Sequence, residues 1–273
     1  MPTGRNLFDY SREAAASLFS FRRRVILFDD LYIRAVRLKP HSDDVLGYTA
    51  AIPAIRNLKR LQLKSPVTFF VGENGSGKST LLEAIAVAFG FNPEGGTQNF
   101  HFSTSETHSP LYRFLTLEKG IHRPKDGFFL RAESFYNVAS EVDRLEEVDR
   151  GLLRSYGGKS LHGQSHGESF LSLALNRFGG KGLYLLDEPE AALSPQNQLT
   201  LLSRIHQLVQ LNSQFIIATH SPILMACPEA EIYAISAEGA VSTEYEQTEH
   251  YQITKSFLEN PKRMLRYLLN EDE

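Results

Sequence analysis

The chain has 273 residues, 42% of them hydrophobic and 22% charged, a balance that suits one large globular domain or two small ones. A net charge of −3 gives no general attraction to nucleic acid, and a single cysteine, Cys227, excludes an intrachain disulfide and a cysteine-based zinc cage, leaving it an ordinary packing role. No apolar run approaches the ~20 residues needed to cross a bilayer. Arg22-Arg23-Arg24 ahead of the short apolar Val25–Phe28 is not a leader pattern, so a cytoplasmic location is expected.

Residues 1–30 read as an N-terminal extension, with a short helix over Ser11–Phe21. Tyr32–Leu38 alternates apolar and basic residues, which predicts a half-buried strand. Further strands are expected at Tyr48–Ile52 and Leu58–Leu63. Residues 92–126, rich in Gly, Ser, Thr and His and carrying Pro93, Pro110 and Pro124, read as a loop-rich insertion holding one strand at Tyr112–Leu117. Gly127–Glu133 is a strand entering a polar turn, Phe135–Leu153 has helical spacing, and Ser155–Gly167 is a second loop before an apolar helix at Phe170–Phe178. Two strand–helix units follow: Leu183–Leu186 with a helix from Pro195, then Phe215–Ala218 with a helix from Pro222. A hairpin at Ile232–Ile235 and Val241–Tyr245 turns through Glu238-Gly239. The tail over 246–273 ends in a helix with Asn260 as N-cap and Pro261 in its first turn. Strands alternating with helices predict an α/β fold with a mostly parallel sheet flanked by helices and an antiparallel β layer near the N-terminus.

The chemistry starts at Gly72-Glu73-Asn74-Gly75-Ser76-Gly77-Lys78-Ser79-Thr80, which fits the phosphate-loop pattern G-x-x-x-x-G-K-[ST] without a mismatch. The β-branched and aromatic run Val67–Val71 before it reads as a buried strand. The helix opening at Ser79-Thr80-Leu81 directs its N-terminal N–H groups at an anion. A nucleoside triphosphate site is therefore expected. Lys78 would reach the β- and γ-phosphates, and the Ser79 hydroxyl would ligate Mg²⁺. Mg²⁺ takes only one or two protein oxygens, and Asp187, at the end of Leu183–Leu186, suits it as a second. Glu188 beside it suits a general base for the attacking water. His220 ends the strand Ile216–Ala218 and is read as a γ-phosphate sensor. Ser165-His166-Gly167-Glu168 opens a helix and offers either an anion-binding end or a simple capping box.

In this order, the phosphate loop, the Ser-x-Gly helix start, Leu-Leu-Asp-Glu-Pro and Thr-His resemble the ABC-type ATPases over about residues 31–245. The likeness is nearest to the non-transporter branch with RecF and SMC-like heads and to small stand-alone bacterial AAA-family ATPases. It implies an ATP-binding and ATP-hydrolysing enzyme using Mg²⁺, with Gly72–Thr80 as Walker A, Asp187 and Glu188 as Walker B and catalytic base, and His220 as the switch histidine. Ser165 and Gly167 fall on the family signature that contacts ATP held by a second subunit, so an ATP-dependent homodimer acting on a protein or nucleic-acid partner is implied. Glu190–Ser194 falls on the D-loop. Departures stand out: His166 replaces a signature glycine, Ser194 replaces an aspartate, and the Q-loop glutamine is missing. Glu133 is the candidate in the last place and a third metal-ligand candidate, and Tyr48 is the candidate for stacking on adenine. The competing class is the ATP-binding subunit of a membrane transporter. Arg22–Arg24 and the run Arg56, Lys59, Arg60, Lys64 offer phosphate contacts to nucleic acid or are solvated surface charge.

Overall fold

A computed structural model describes residues 31–39, 52–98, 109–131, 135–148, 151–156, 158, 160–163 and 166–269. The expected helix at Ser11–Phe21, the arginine run Arg22–Arg24, Tyr48, Glu133 and Ser165 lie outside the described residues.

The centre is a six-stranded sheet in the order β5-β6-β7-β3-β8-β9. Its strands are β3 (Val67–Val71), β5 (Asp126–Arg131), β6 (Gly182–Asp187), β7 (Gln214–Ala218), β8 (Glu231–Ser236) and β9 (Gly239–Thr243). All pairs are parallel except the closing β8–β9 hairpin. Every residue of β3, β6 and β7 is buried, because both faces of the sheet are covered. Alternate side chains divide the core in two. Phe69, Phe128, Tyr184, Leu186 and Phe215 pack on one face with α3 (Phe135–Val148), α4 (His166–Asn176) and α5 (Pro195–Gln210). Phe70, Phe129, Leu183, Leu185 and Ile216 pack on the other, against α2 (Lys78–Phe89) and a separate antiparallel layer.

That layer has the order β2-β1-β4, with β1 at Ile33–Leu38, β2 at Arg60–Gln62 and β4 at Leu115–Lys119. One buried side chain ties it to the central sheet. Gln214 accepts from the Tyr32 and Ile33 N–H groups at 2.9 and 3.0 Å and donates to the Ile33 carbonyl at 2.9 Å. The amide oxygen accepts twice and the amide nitrogen donates once, which offsets the burial of this polar side chain.

The structure corrects several expected boundaries. The strand foreseen at Tyr112–Leu117 begins only at Leu115. Pro110–Phe114 is instead a 3₁₀ turn, because Pro110 fixes φ at its start and the Ser109 hydroxyl accepts from Leu111 N–H at 3.2 Å. Since β4 pairs with β1, this part of the 92–126 segment is an integral strand. Ile52 leads into a short helix, α1 (Pro53–Arg56), and the strand after it is shorter than Leu58–Leu63. The helix expected at Phe170–Phe178 starts at His166, and that expected from Phe135 ends at Val148, before a 3₁₀ turn at Leu152–Tyr156. The helix from Pro222, α6, is a single turn ending at Met225. The tail expected to be helical over 246–273 holds two helices, α7 (Glu249–Glu259) and α8 (Pro261–Leu269), and Asn260 Oδ1 caps the second by accepting from Arg263 N–H at 3.1 Å. Cys227 is buried and its thiol is pushed up to about 12 by burial, as its expected packing role requires.

Candidate functional site

The carboxyl ends of β3, β6 and β7 lie side by side. Arg131, Asp187, Ala218, Phe70 and Tyr233 form one row across the sheet, strand to neighbouring strand. The chain leaves β3 at Gly72, β6 at Glu188 and β7 at Thr219-His220, so all three exits open on one edge. Open α/β sheets bind ligands at this edge.

The loop after β3 depends on its glycines. A β-carbon at Gly72, where φ is +142°, would meet the Ile235 carbonyl oxygen at 2.4 Å. Gly77, at φ +101°, caps α2 in the left-handed region that other residues avoid. This backbone frames a cleft of about 520 Å³ lined by Gly72–Ser76, Pro53, Ala54, Ala234–Ala237, Thr243 and Gln247–His250. Gly72, Glu73, Asn74, Gly75 and Ser76 thus line the cleft, while Gly77 and Lys78 are buried and Ser79 and Thr80 are half-buried in the first turn of α2.

Lys78 is 4% exposed, and its ammonium donates to the Gly72 and Glu73 carbonyls at 2.8 Å each. Burial pushes its pKa down, against the upward pull of Glu188, Asp187 and Glu190. Lys78 attracts an anion here while the neighbouring carboxylates repel one, so a phosphate chain would need an accompanying divalent cation to sit among them. Asp187 ends β6, with its Oδ2 3.9 Å from Arg131 Nε. Arg131 also donates to Glu83 of α2 at 2.6 Å, linking the phosphate-loop helix to the β5 and β6 ends.

Glu188 sits at φ 49° and ψ 52°, left-handed for a residue with a side chain, and its N–H is held by the Ala218 carbonyl at 2.9 Å. Such backbone strain, of order 1–3 kcal/mol, persists only where the surroundings enforce it. It directs the carboxylate out of the strand line, to 3.6 Å from His220 Nε2. The His220 backbone N–H donates to Glu190 Oε1 at 2.6 Å, and its Nδ1 lies 2.8 Å from His250 Nε2. Burial and then Lys78 push the His220 pKa down, against Glu188. Burial also raises the pKa of Glu190, partly offset by the His220 N–H.

The structure therefore brings Lys78, Asp187, Glu188 and His220 to one place. Gly167 does not line this cleft. It opens α4, where a β-carbon would lie 2.4 Å from the Ala192 carbonyl oxygen. Ser194 caps α5, accepting from Asn197 N–H at 3.3 Å. The resemblance had placed Glu190 only on the D-loop, and sequence reasoning missed Arg131 and His250 as neighbours of the site. Among the described residues no group of three His, Cys, Asp or Glu gathers as a metal cage. Mg²⁺ needs no such cage, and a glycine cradle with one lysine and a strand-end aspartate suits a magnesium–nucleotide complex.

A family model described as "AAA domain" matches residues 51–150, and one described as "AAA domain, putative AbiEii toxin, Type IV TA system" matches residues 168–226. Among curated relatives, the chain is 28% identical over 188 residues to a "Putative ABC transporter ATP-binding protein" of Caldanaerobacter subterraneus subsp. tengcongensis, covering 63% of this chain and 77% of that one. It is 27% identical over 162 residues to "Phospholipid-transporting ATPase ABCA7" of Homo sapiens, covering 54% of this chain but only 7% of that protein's length. The solved SMC head domain from Thermotoga maritima aligns at 16% identity and a TM-score of 0.42, over 78% of this chain and 100% of that one. No helix among the described residues is long and apolar enough to cross a membrane. The phosphate loop, the Asp-Glu strand end and the Thr-His exit converge on one sheet edge, and the two matched AAA-domain models with the ABC-type relatives support an ABC-ATPase member of the P-loop superfamily.

Proposed function

We propose that the protein binds and hydrolyses ATP as a switch whose nucleotide-driven dimerisation acts on a protein or nucleic-acid partner. The observation that carries it is the convergence of Lys78, Asp187, Glu188 and His220 at the ends of three adjacent parallel strands. Lys78 exchanges its two carbonyl partners for phosphate oxygens. Ser79 and Asp187 would hold Mg²⁺, with Glu133 as the third candidate, and the ion would neutralise charge on the β- and γ-phosphates. Glu188 takes the proton from the attacking water. His220 places its Nε2 toward the γ-phosphate. Ser165 and Gly167 would close the site of a second copy.

One observation favours a second role, as the ATP-binding subunit of a membrane transporter: the likeness to the Caldanaerobacter protein described above. An adjacent gene for a multi-span membrane protein would support that role. The direct test is hydrolysis of magnesium–ATP by the purified full chain, with and without DNA, and a pull-down for partners. Magnesium-dependent phosphate release is expected. No binding of ATP by calorimetry would overturn the assignment.

A further inference from the structure

His220 is held between two elements. Its backbone follows β7, and the next residue, Ser221, caps α6, accepting from Leu224 N–H at 3.2 Å and donating to Gln198 Oε1 at 2.6 Å. The C-terminal segment docks on the same point. The Tyr245 hydroxyl donates to the Pro222 carbonyl at 3.0 Å, and Thr248, 3% exposed, donates to the Tyr245 carbonyl at 2.7 Å. These bonds place the first turn of α7 at the rim of the nucleotide cleft, with Glu249 and His250 in its lining.

The His220 and His250 rings meet edge to face, centroids 4.9 Å apart, and the Nδ1–Nε2 contact of 2.8 Å admits one proton. The other nitrogen of His220, Nε2, is shut from solvent, has no hydrogen-bond partner among the described residues, and faces the Glu188 carboxylate at 3.6 Å. A neutral His220 has two choices. With the proton on Nδ1, a bare Nε2 lone pair would face a carboxylate, which repels it. With the proton on Nε2, the N–H faces the carboxylate and Nδ1 accepts from His250 Nε2–H. Glu188, at 3.6 Å and beyond hydrogen-bond distance, only biases the ring toward the second arrangement, and the hydrogen bond that Nδ1 accepts from His250 is what locks it. The charged and titratable groups acting on this pair are Glu188 and Lys78 on His220, and Glu249, Lys78 and Glu190 on His250.

We propose that His250, carried into the cleft by the C-terminal helix, is a positioning residue that fixes His220 as the Nε2–H tautomer facing Glu188. This rests on the reading of His220 as the γ-phosphate contact, because an N–H at Nε2 is what a phosphate oxygen accepts from. Removing the partner leaves both tautomers accessible and the ring free to turn, and a misplaced catalytic group costs up to ~10²-fold in rate.

The test uses the full chain labelled with ¹⁵N-histidine. Long-range proton–nitrogen spectra read each ring, and His220→Ala identifies the His220 signals. Wild type should show a protonated Nε2 and a lone pair on Nδ1. His250→Ala should mix the tautomers and lower turnover by about 10- to 100-fold, with ATP affinity kept within a few-fold. His250→Gln, whose amide N–H can still donate, should restore both the spectrum and most of the turnover. Unchanged His220 ring signals in His250→Ala, or no recovery in His250→Gln, would overturn the proposal. Wild-type turnover in His220→Ala would instead overturn the catalytic reading of His220, and the ring spectrum would then decide the tautomer by itself.

Discussion

Gly167 and Ala192 touch through their backbones: a β-carbon on Gly167 would come within 2.4 Å of the Ala192 carbonyl oxygen. The contact joins the first turn of α4 to the 3₁₀ turn Pro189–Ala192, which leaves the site immediately after Glu188. That turn carries Glu190, whose carboxylate holds the His220 backbone. The start of α4 is thereby mechanically linked to both Glu188 and His220 within one chain. In the family resemblance this glycine serves the neighbouring subunit's nucleotide; here its size is already required inside the subunit.

Gly167→Ala should therefore disturb the catalytic edge without touching the phosphate loop. The obstructing atom is backbone and cannot swing aside, so overpacking of about 1–3 kcal/mol is expected. At roughly 2–4 °C per kcal/mol for a chain of this size, the melting temperature should fall by several degrees. ATP turnover should fall further than ATP affinity. Gly163→Ala is the control, since nothing lies within 4 Å of its β-carbon position. Equal melting temperatures for the two variants would show that the contact constrains nothing.

Lys78→Ala tests the nucleotide site itself. The side chain makes two hydrogen bonds to loop carbonyls and would exchange them for phosphate. Charge-assisted bonds are worth about 1.5–3 kcal/mol, so ATP affinity should weaken at least roughly 10- to 100-fold, with hydrolysis lost. Near wild-type affinity by calorimetry, in a variant with an unchanged far-UV spectrum, would remove Lys78 from the site.

The residues legible in the sequence share one property: their geometry is set by neighbours in the chain. A phosphate loop is a strand, glycines and a helix start in succession, and Asp187-Glu188 and Thr219-His220 are simply strand ends. The partners that remained hidden act across long separations. Gln214 bridges to Ile33, Arg131 to Glu83, and His250 to His220, and no local periodicity marks a glutamine or histidine chosen for a contact across the fold. The misplaced start of β4 has a different cause. Tyr112 and Phe114 have strand propensity, but Pro110 and the Ser109 cap commit the backbone to a turn first.

A pH prediction follows from the opposite edge of the sheet. Asp126 opens β5, pairs with Arg177 at 2.8 Å and accepts from the Tyr184 hydroxyl at 2.7 Å. Burial pushes its pKa up, but Arg177, Tyr184 and the Gly179 N–H together outweigh burial and hold the carboxyl below its ordinary value. A depressed folded pKa contributes stability that is fully present above the ordinary carboxylate value, near ~4, and is lost as pH falls through the folded value. Asp126→Asn should cost about 1–3 kcal/mol at neutral pH, since it strips a largely buried arginine of its counter-charge. The gap between the two proteins should hold steady above about pH 5 and close below about pH 4. Urea melts at several pH values would measure it. A gap independent of pH down to the acid limit would assign the stabilisation to packing instead.

Glu188→Gln tests chemistry and assembly together. The amide keeps the shape of the carboxylate but cannot take a proton from water, so turnover should drop about 10²- to 10⁴-fold while ATP stays bound. Trapped ATP is what would hold a second copy. Gly167 is only half-buried and Glu168 is exposed, so the start of α4 faces outward, able to offer N–H groups to a phosphate across an interface. Light scattering on Glu188→Gln should accordingly report a dimer in saturating magnesium–ATP and a monomer without it. Adding Ser165→Arg should abolish the dimer, because a long side chain would crowd the phosphate approach, while leaving nucleotide affinity intact since the phosphate loop is untouched. His166 stands where the resemblance places a signature glycine, so His166→Gly in the Glu188→Gln background should tighten the dimer. A Glu188→Gln protein that remains monomeric at high concentration with ATP bound would leave the helix start as a cap and place the switch in one subunit. Turnover retained within a few-fold would instead strip Glu188 of its role and make Glu133 the next acid to replace.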